Sequence, residues 1–264
     1  MNELQHLQKV VLLIAKDVDK LCRENNIHYY LGGGGAIGAV RHKGFIPWDD
    51  DLDFLMPYEE FERFVLICRD KLDCNKYEID QDTGCCALPE LKIRLKGTYI
   101  EEKGRRREEG KCQGIFVDVF RLEHSPESNF WRHVQYYSSK FWIANHHRHS
   151  GYKTDDARKK RMIGLSSILD FPPIRTFVKW TIFRWNKKKV NTLGCLWGIT
   201  RYKNTFTTCE IYGTPKYLPF EDTEFPLPEH YHEYLTQFFG DYMQLPPVEK
   251  RVAPHITKID FGRY

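Results

Sequence analysis

The chain has 264 residues, 41% hydrophobic and 29% charged, with a formal net charge of +4. That length can bury a sizeable core, and the composition is that of a globular protein. The charge is too small for a dedicated nucleic-acid binder. No run approaches eighteen apolar residues, so no transmembrane helix is expected, and the start MNELQHLQKVVLLIAKDVDKLCREN is interrupted by charges and lacks a secretory cleavage site.

The eight cysteines are scattered without a CxxC pair. With no signal sequence, reduced thiols and a cytoplasmic location are expected.

Taken in order, Leu4, Leu7, Val11, Ile14, Val18 and Leu21 form the apolar stripe of an amphipathic helix that docks on the core. Asn25-Asn26 ends it, and Ile27–Leu31 reads as a short strand. Four glycines, Gly32–Gly35, then open a helical stretch over Ala36–Arg41. The unpaired N–H groups at such a helix start favour a phosphate; the plainer alternative is a flexible turn.

Pro47 sets a turn before Trp48, and Asp51–Leu55 reads as a strand with Asp51 and Asp53 on one face and Leu52 and Phe54 on the other. Two carboxylates so placed repel unless a cation lies between them, and such oxygen ligands suit Mg²⁺ or Mn²⁺. Asp49 and Asp50 read as an exposed acidic turn. Pro57 starts a helix with Glu59 and Glu60 in its first turn and a buried stripe of Phe61, Phe64, Val65, Cys68 and Leu72.

Strands are expected near Tyr77–Gln81, Leu91–Leu95 and Gly114–Leu122, and the charged stretch Arg105–Arg107 with Glu108-Glu109 reads as a solvated loop. Asp118 interrupts an otherwise apolar strand, where a charge needs a cation or several donors. It is either a third metal-facing carboxylate or half of a buried salt bridge with Arg94.

From Ser125 to Val190 the chain reads as helical. His146, His147 and His149 lack the i,i+4 pairing of a helical zinc site. The stretch Ile174–Val190 mixes aromatic and basic residues, which fits either an interfacial membrane helix or a docked helix with a basic exposed end. The remainder reads as turns and short extended pieces, then a helix over Glu229–Phe239 stopped by Gly240.

AIGAVRHKGFIPWDDDLDF and the helix after it resemble the signature of the LicD family of phosphocholine transferases, of which fukutin-type ribitol-phosphate transferases carry a looser version. GDYMQLPPVEKR (Gly240–Arg251) resembles that family's C-terminal motif, and GIFVDVF lies where its third acidic strand falls. The resemblance covers nearly the whole chain, least clearly from Ser125 to Lys203. It implies an α/β (α+β) fold: one nucleotidyltransferase-like domain over 1–264, a mixed sheet flanked by helices, with a helical insertion or subdomain around 125–200.

The resemblance further implies metal-dependent transfer of phosphocholine from CDP-choline to a sugar hydroxyl of a cell-surface glycan of teichoic acid, lipopolysaccharide or capsule type, with release of CMP. Asp51, Asp53 and Asp118 match the metal-binding and catalytic acids, with Mg²⁺ or Mn²⁺ as the cofactor, and Gly34 and Gly35 match the glycine motif. Family members commonly carry Ser or Thr at the position of Gly35, so a hydroxyl contact to phosphate is missing here. Arg41, Lys43 and Arg94 are candidate phosphate contacts. Trp48 either stacks on a base or choline, or packs the turn.

The partners so implied are a CDP-linked donor and a glycan or lipid-linked glycan acceptor, at the inner face of the membrane and with peripheral membrane contact compatible. The alternatives are an alditol-phosphate transferase using a CDP-linked donor, and a scaffold binding nucleotide or anionic glycan. Asp118→Ala is expected to raise stability if the three carboxylates repel one another.

Overall fold

Asn2 and Gln5 cap the first helix reciprocally, each side chain bonding the other's backbone N–H, and the helix runs from Glu3 to Glu24 (α1). Its stripe of Leu7, Val11, Ile14, Val18 and Leu21 is buried, as the spacing predicts. The computed structural model describes residues 2–102, 112–198, 201–252 and 256–264. The Arg105–Arg107 and Glu108-Glu109 stretch lies outside the described residues.

Of the strand expected over Ile27–Leu31, only Tyr30–Leu31 (β1) pairs, antiparallel to Leu55 and Phe54. Helix α2 follows at once, Gly33–Arg41, with Gly32 as its N-cap. Strand β2 is Asp53–Pro57, two residues later than expected, so Asp51 precedes it. Alternation still holds, with Leu52 and Phe54 buried and Asp51 and Asp53 half-buried. Helix α3, Tyr58–Lys71, buries Phe61, Phe64, Val65 and Cys68. Strands β3 (Tyr77–Asp80), β4 (Glu90–Leu95), β5 (Tyr99–Glu102) and β6 (Phe116–His124) complete the first half.

Three helices follow: α4 (Asn129–His149), α5 (Ala157–Ile168) and α6 (Pro172–Phe183). Then come β7 (Thr192–Gly194), β8 (Phe206–Thr208), the short α7 (Cys209–Tyr212), a hairpin of β9 (Lys216–Phe220) and β10 (Thr223–Leu227), α8 (Tyr231–Phe239) and β11 (Ile256–Asp260). Gly240 ends α8 with φ +71°, a conformation that costs glycine little. Strand β11 pairs with β5.

The main sheet is mixed, in the order β1-β2-β6-β4-β3, with β7 added at the end of β6 and β8 beyond it. Strands β2 and β6 run parallel, while β6 and β4 are antiparallel. Phe54, Met56, Leu91, Ile93, Val117 and Val119, all fully buried or nearly so, join α1 and α3 in the main core. A second apolar cluster gathers Trp142 from α4, Val178 and Ile182 from α6, and Leu196 and Trp197, against Cys86 and Leu88.

Glu123 ties that second cluster to the sheet. It is fully buried near the end of β6 and accepts bonds from Arg121 Nε (2.9 Å), Trp197 Nε1 (3.0 Å) and Asn186 Nδ2 (2.5 Å). Burial pushes its carboxyl upward in pKa, and Arg121 and the two neutral donors pull against that. Removing the carboxylate leaves buried donors without an acceptor. Glu123→Ala should therefore lower unfolding stability by about 3 kcal/mol in urea titration. Glu62→Ala, which removes Arg121's half-exposed second partner at 2.5 Å, should change it by less than about 1 kcal/mol.

Candidate active site

Parallel pairing sets Asp53 on β2 directly beside Asp118 on β6, and antiparallel pairing sets Lys92 on β4 directly beside Asp118. Three neighbouring strands thus carry carboxylate, carboxylate and ammonium in one row on one sheet face. Lys92 is buried, with Nζ 2.7 Å from Asp118 Oδ1 and donating to Oδ2 at 2.9 Å. The ammonium also lies 3.6 Å from the centre of the Phe116 ring. Asp118 therefore does sit in a buried salt bridge, but with Lys92 rather than Arg94. Arg94 is buried two residues along β4, donating to Asp80 at 2.8 Å and to the Gly114 carbonyl at 3.2 Å.

The other side of the row is closed by the start of α2. Gly32 N–H bonds the Asp53 carbonyl at 2.9 Å, and the first bond within the helix runs from Ala36 N–H to the Gly32 carbonyl. The N–H groups of Gly33, Gly34 and Gly35 precede that bond and have no acceptor within the helix. A Cβ on Gly34 would fall 2.0 Å from Asp49 Oδ2, and one on Gly33, at φ +48°, would fall 3.1 Å from Asp53 Oδ2. The glycines therefore let the helix start come against the carboxylates, with its positive dipole end toward them. Gly35 faces elsewhere: its Cβ would meet Leu52 Cδ1 at 2.6 Å, in the core. A Ser or Thr at that position would require Leu52 to move.

The acidic turn is not merely exposed. Asp50 is buried and Asp49 half-buried, and one ligand oxygen each from Asp49, Asp50 and Asp51 can lie within 4.8 Å of the others. Burial, then repulsion from Asp51 and Asp50, pushes the Asp49 carboxyl up to about 7. Burial, then Asp51 and Asp118, pushes Asp53 well above its ordinary value, against the pull of Lys92. Crowded oxygen donors under mutual repulsion fit a hard divalent cation such as Mg²⁺ or Mn²⁺.

Arg41 and Trp48 meet the C-terminal motif. Arg41 donates to the carbonyls of Tyr242 (2.6 Å) and Gln244 (3.4 Å), so it anchors that segment. Half-buried Trp48 has the Arg251 guanidinium 5.4 Å from its ring centre and the His42 ring edge-on at 6.3 Å. Lys43 is exposed, in the left-handed conformation at φ +57°. The three histidines at the end of α4 have separate contacts: His146 contacts Asp82, His149 contacts Asp170, and His147 stacks on Tyr152.

Sequence reasoning missed Lys92, whose signal was a lone lysine between the apolar Leu91 and Ile93. It also gave no role to Arg251, although that residue ends the second motif.

The family described as LicD/FKTN/FKRP, nucleotidyltransferase domain, matches residues 26–163, which include the glycines, the aspartates, Lys92 and Asp118. A relative in Haemophilus influenzae, lipopolysaccharide cholinephosphotransferase LicD, is 31% identical over 270 residues, covering 97% of each chain. The chain belongs to the LicD family. Two uncharacterized proteins match over shorter stretches: one of Rickettsia typhi at 47% identity over 54 residues, 20% of this chain and 18% of its own, and one of Rickettsia prowazekii at 47% over 47 residues, 18% of each.

Two measurements test this account of the LicD-type site. Because Lys92 is buried against Asp118, Asp118→Ala should destabilise the protein by about 3 kcal/mol, reversing the gain expected from carboxylate repulsion alone. Adding Lys92→Met should recover much of the loss in a double-mutant cycle.

Asp49 titrates near 7 when folded and near 3.8 when unfolded, so the folded state holds the extra proton. Its contribution to stability is complete below pH 3.8 and is lost as pH rises through about 7. Asp49→Asn should therefore melt higher than the parent at pH 8 without divalent ions. That advantage should shrink at pH 5, and Mg²⁺ should raise the parent's midpoint more at pH 8 than at pH 5.

Proposed function

We propose that the chain transfers phosphocholine from CDP-choline to a sugar hydroxyl of a cell-surface glycan of lipopolysaccharide type, releasing CMP in the cytoplasm. The observation that carries this reading is the 31% identity over 97% of both chains to a lipopolysaccharide cholinephosphotransferase. It is supported by Asp53 and Asp118, in register on parallel strands, at the glycine-rich start of α2.

In this reading Asp51, Asp53 and Asp118, with Asp49 and Asp50 beside them, hold Mg²⁺ or Mn²⁺. When bound, the ion neutralises charge on the diphosphate and on the departing CMP. The N–H groups at the start of α2, which have no acceptor within the helix, bind phosphate oxygens in this reading. The acceptor oxygen attacks the phosphorus that bears choline, and the bond from that phosphorus to the bridging oxygen breaks. The electron pair leaves with CMP, and the acceptor proton passes to a carboxylate, for which Asp118 is assigned. The salt bridge to Lys92 fixes the direction of that carboxylate. Trp48 offers an aromatic face for the base or the quaternary ammonium.

CMP release from CDP-choline, measured with Mg²⁺ and a glycan acceptor, tests the reading. Asp53→Ala should lower it by roughly two to three orders of magnitude with the fold intact by circular dichroism. Release from CDP-ribitol but not from CDP-choline would assign the cargo to an alditol phosphate and refute the choline reading. Substantial activity in the Asp53→Ala protein would refute the site.

A further inference from the structure

Helices α5 and α6 leave an apolar face uncovered. On α5, Met162, Leu165 and Ile168 recur at intervals of three and are exposed, and Ser166 is the helix's one buried residue. On α6, Val178, Thr181 and Ile182 turn inward, while Phe177 and Trp180 stack outward with ring centres 5.9 Å apart. Phe171, in the connection between the helices, is exposed as well. Ile168 is 68% and Phe177 60% exposed, and apolar exposure this dense within some twenty residues marks an interaction surface.

The charge in the same segment has one sign. Residues 157–190 contain ten Lys and Arg and a single acid, Asp170, whereas the rest of the chain has 30 Lys and Arg and 35 Asp and Glu. Asp170 is already engaged by Arg148, His149 and Arg175. The cations flank the apolar band: Arg158–Arg161 begin α5, and Arg184 with Lys187–Lys189 follow α6. Arg184 lies 4.0 Å over the Trp180 ring and 4.7 Å over Trp185, and Lys188 lies 4.8 Å over Trp185. Basic side chains laid over aromatic rings beside exposed aliphatics suit a headgroup–acyl boundary.

We propose that the outer face of α5 and α6 is a peripheral docking surface for an anionic lipid bilayer. Each helix has 12 residues, too few to span the hydrocarbon core, so both lie in the plane of the interface. The apolar band enters the boundary and the basic ends meet acidic headgroups. A second copy docked through the same face would bring its cations against these, and a nucleic acid would leave the aliphatic band unrewarded. The inference stands apart from the transfer reaction, since it concerns binding and not catalysis.

Flotation of the full chain with lipid vesicles tests it. The protein should float with phosphatidylcholine vesicles carrying about one-third phosphatidylglycerol and stay behind with pure phosphatidylcholine. Raising salt to about 0.5 M should weaken binding. Leu165→Ser with Phe177→Ser, and separately Lys187→Glu, Lys188→Glu and Lys189→Glu together, should each lower partitioning about tenfold or more with the melting midpoint preserved. Equal binding to neutral and anionic vesicles, no binding to either, or binding unchanged in both variants would overturn the proposal. So would a dimer in sedimentation that both variants dissolve, which would assign the face to a second copy.

Discussion

The site depends on like charges held together by strand register. A carboxylate on β2 and another on β6 are level because the strands are parallel and paired at Asp53 and Asp118. A slip of one residue would carry Asp118 to the opposite face and bring Val117 or Val119 to the row. Those two valines, both fully buried, resist the slip, as do Leu52 and Phe54 on the far side of β2. The apolar face of the sheet thus fixes the geometry of the charged one.

Lys92 makes that arrangement tolerable without becoming its purpose. Its ammonium pairs with Asp118 and pulls against the burial and repulsion that push the Asp53 carboxyl toward its protonated form. The protein keeps a local electrostatic cost that the core must offset. Buried Glu123, farther along the same strand, has the opposite character. Surrounded by three donors, it has no unmet demand and serves to hold α6 and the β7 segment in place.

Much of this was legible in the sequence. The α1 and α3 stripes, the glycine-to-helix step, the alternating aspartates and the interrupted strand around Asp118 follow from local periodicity, which the fold preserves. Long-range pairing was not legible. Nothing local distinguishes Lys92 from Arg94 as the partner of Asp118, because both alternate onto the same face of β4 and only the register against β6 selects one. Likewise the direction of Gly35 depends on helix phase relative to Leu52, and Ile27–Tyr29 stay outside the strand although they are as rich in β-formers as the Tyr30–Leu31 pair that joins it. Arg41 and Trp48 meet the second motif in a way that neither motif reveals alone.

That meeting has a consequence for how the molecule is made. Arg41 is held by the backbone of Tyr242 and Gln244, and β5 pairs with β11. During synthesis the glycine and aspartate elements emerge early, yet the segment that braces them arrives some two hundred residues later. Closing so long a loop carries an entropic penalty that must be met before the contact rewards it. The glycine and aspartate elements therefore leave the ribosome well before the segment that braces them and stay without that brace over the interval.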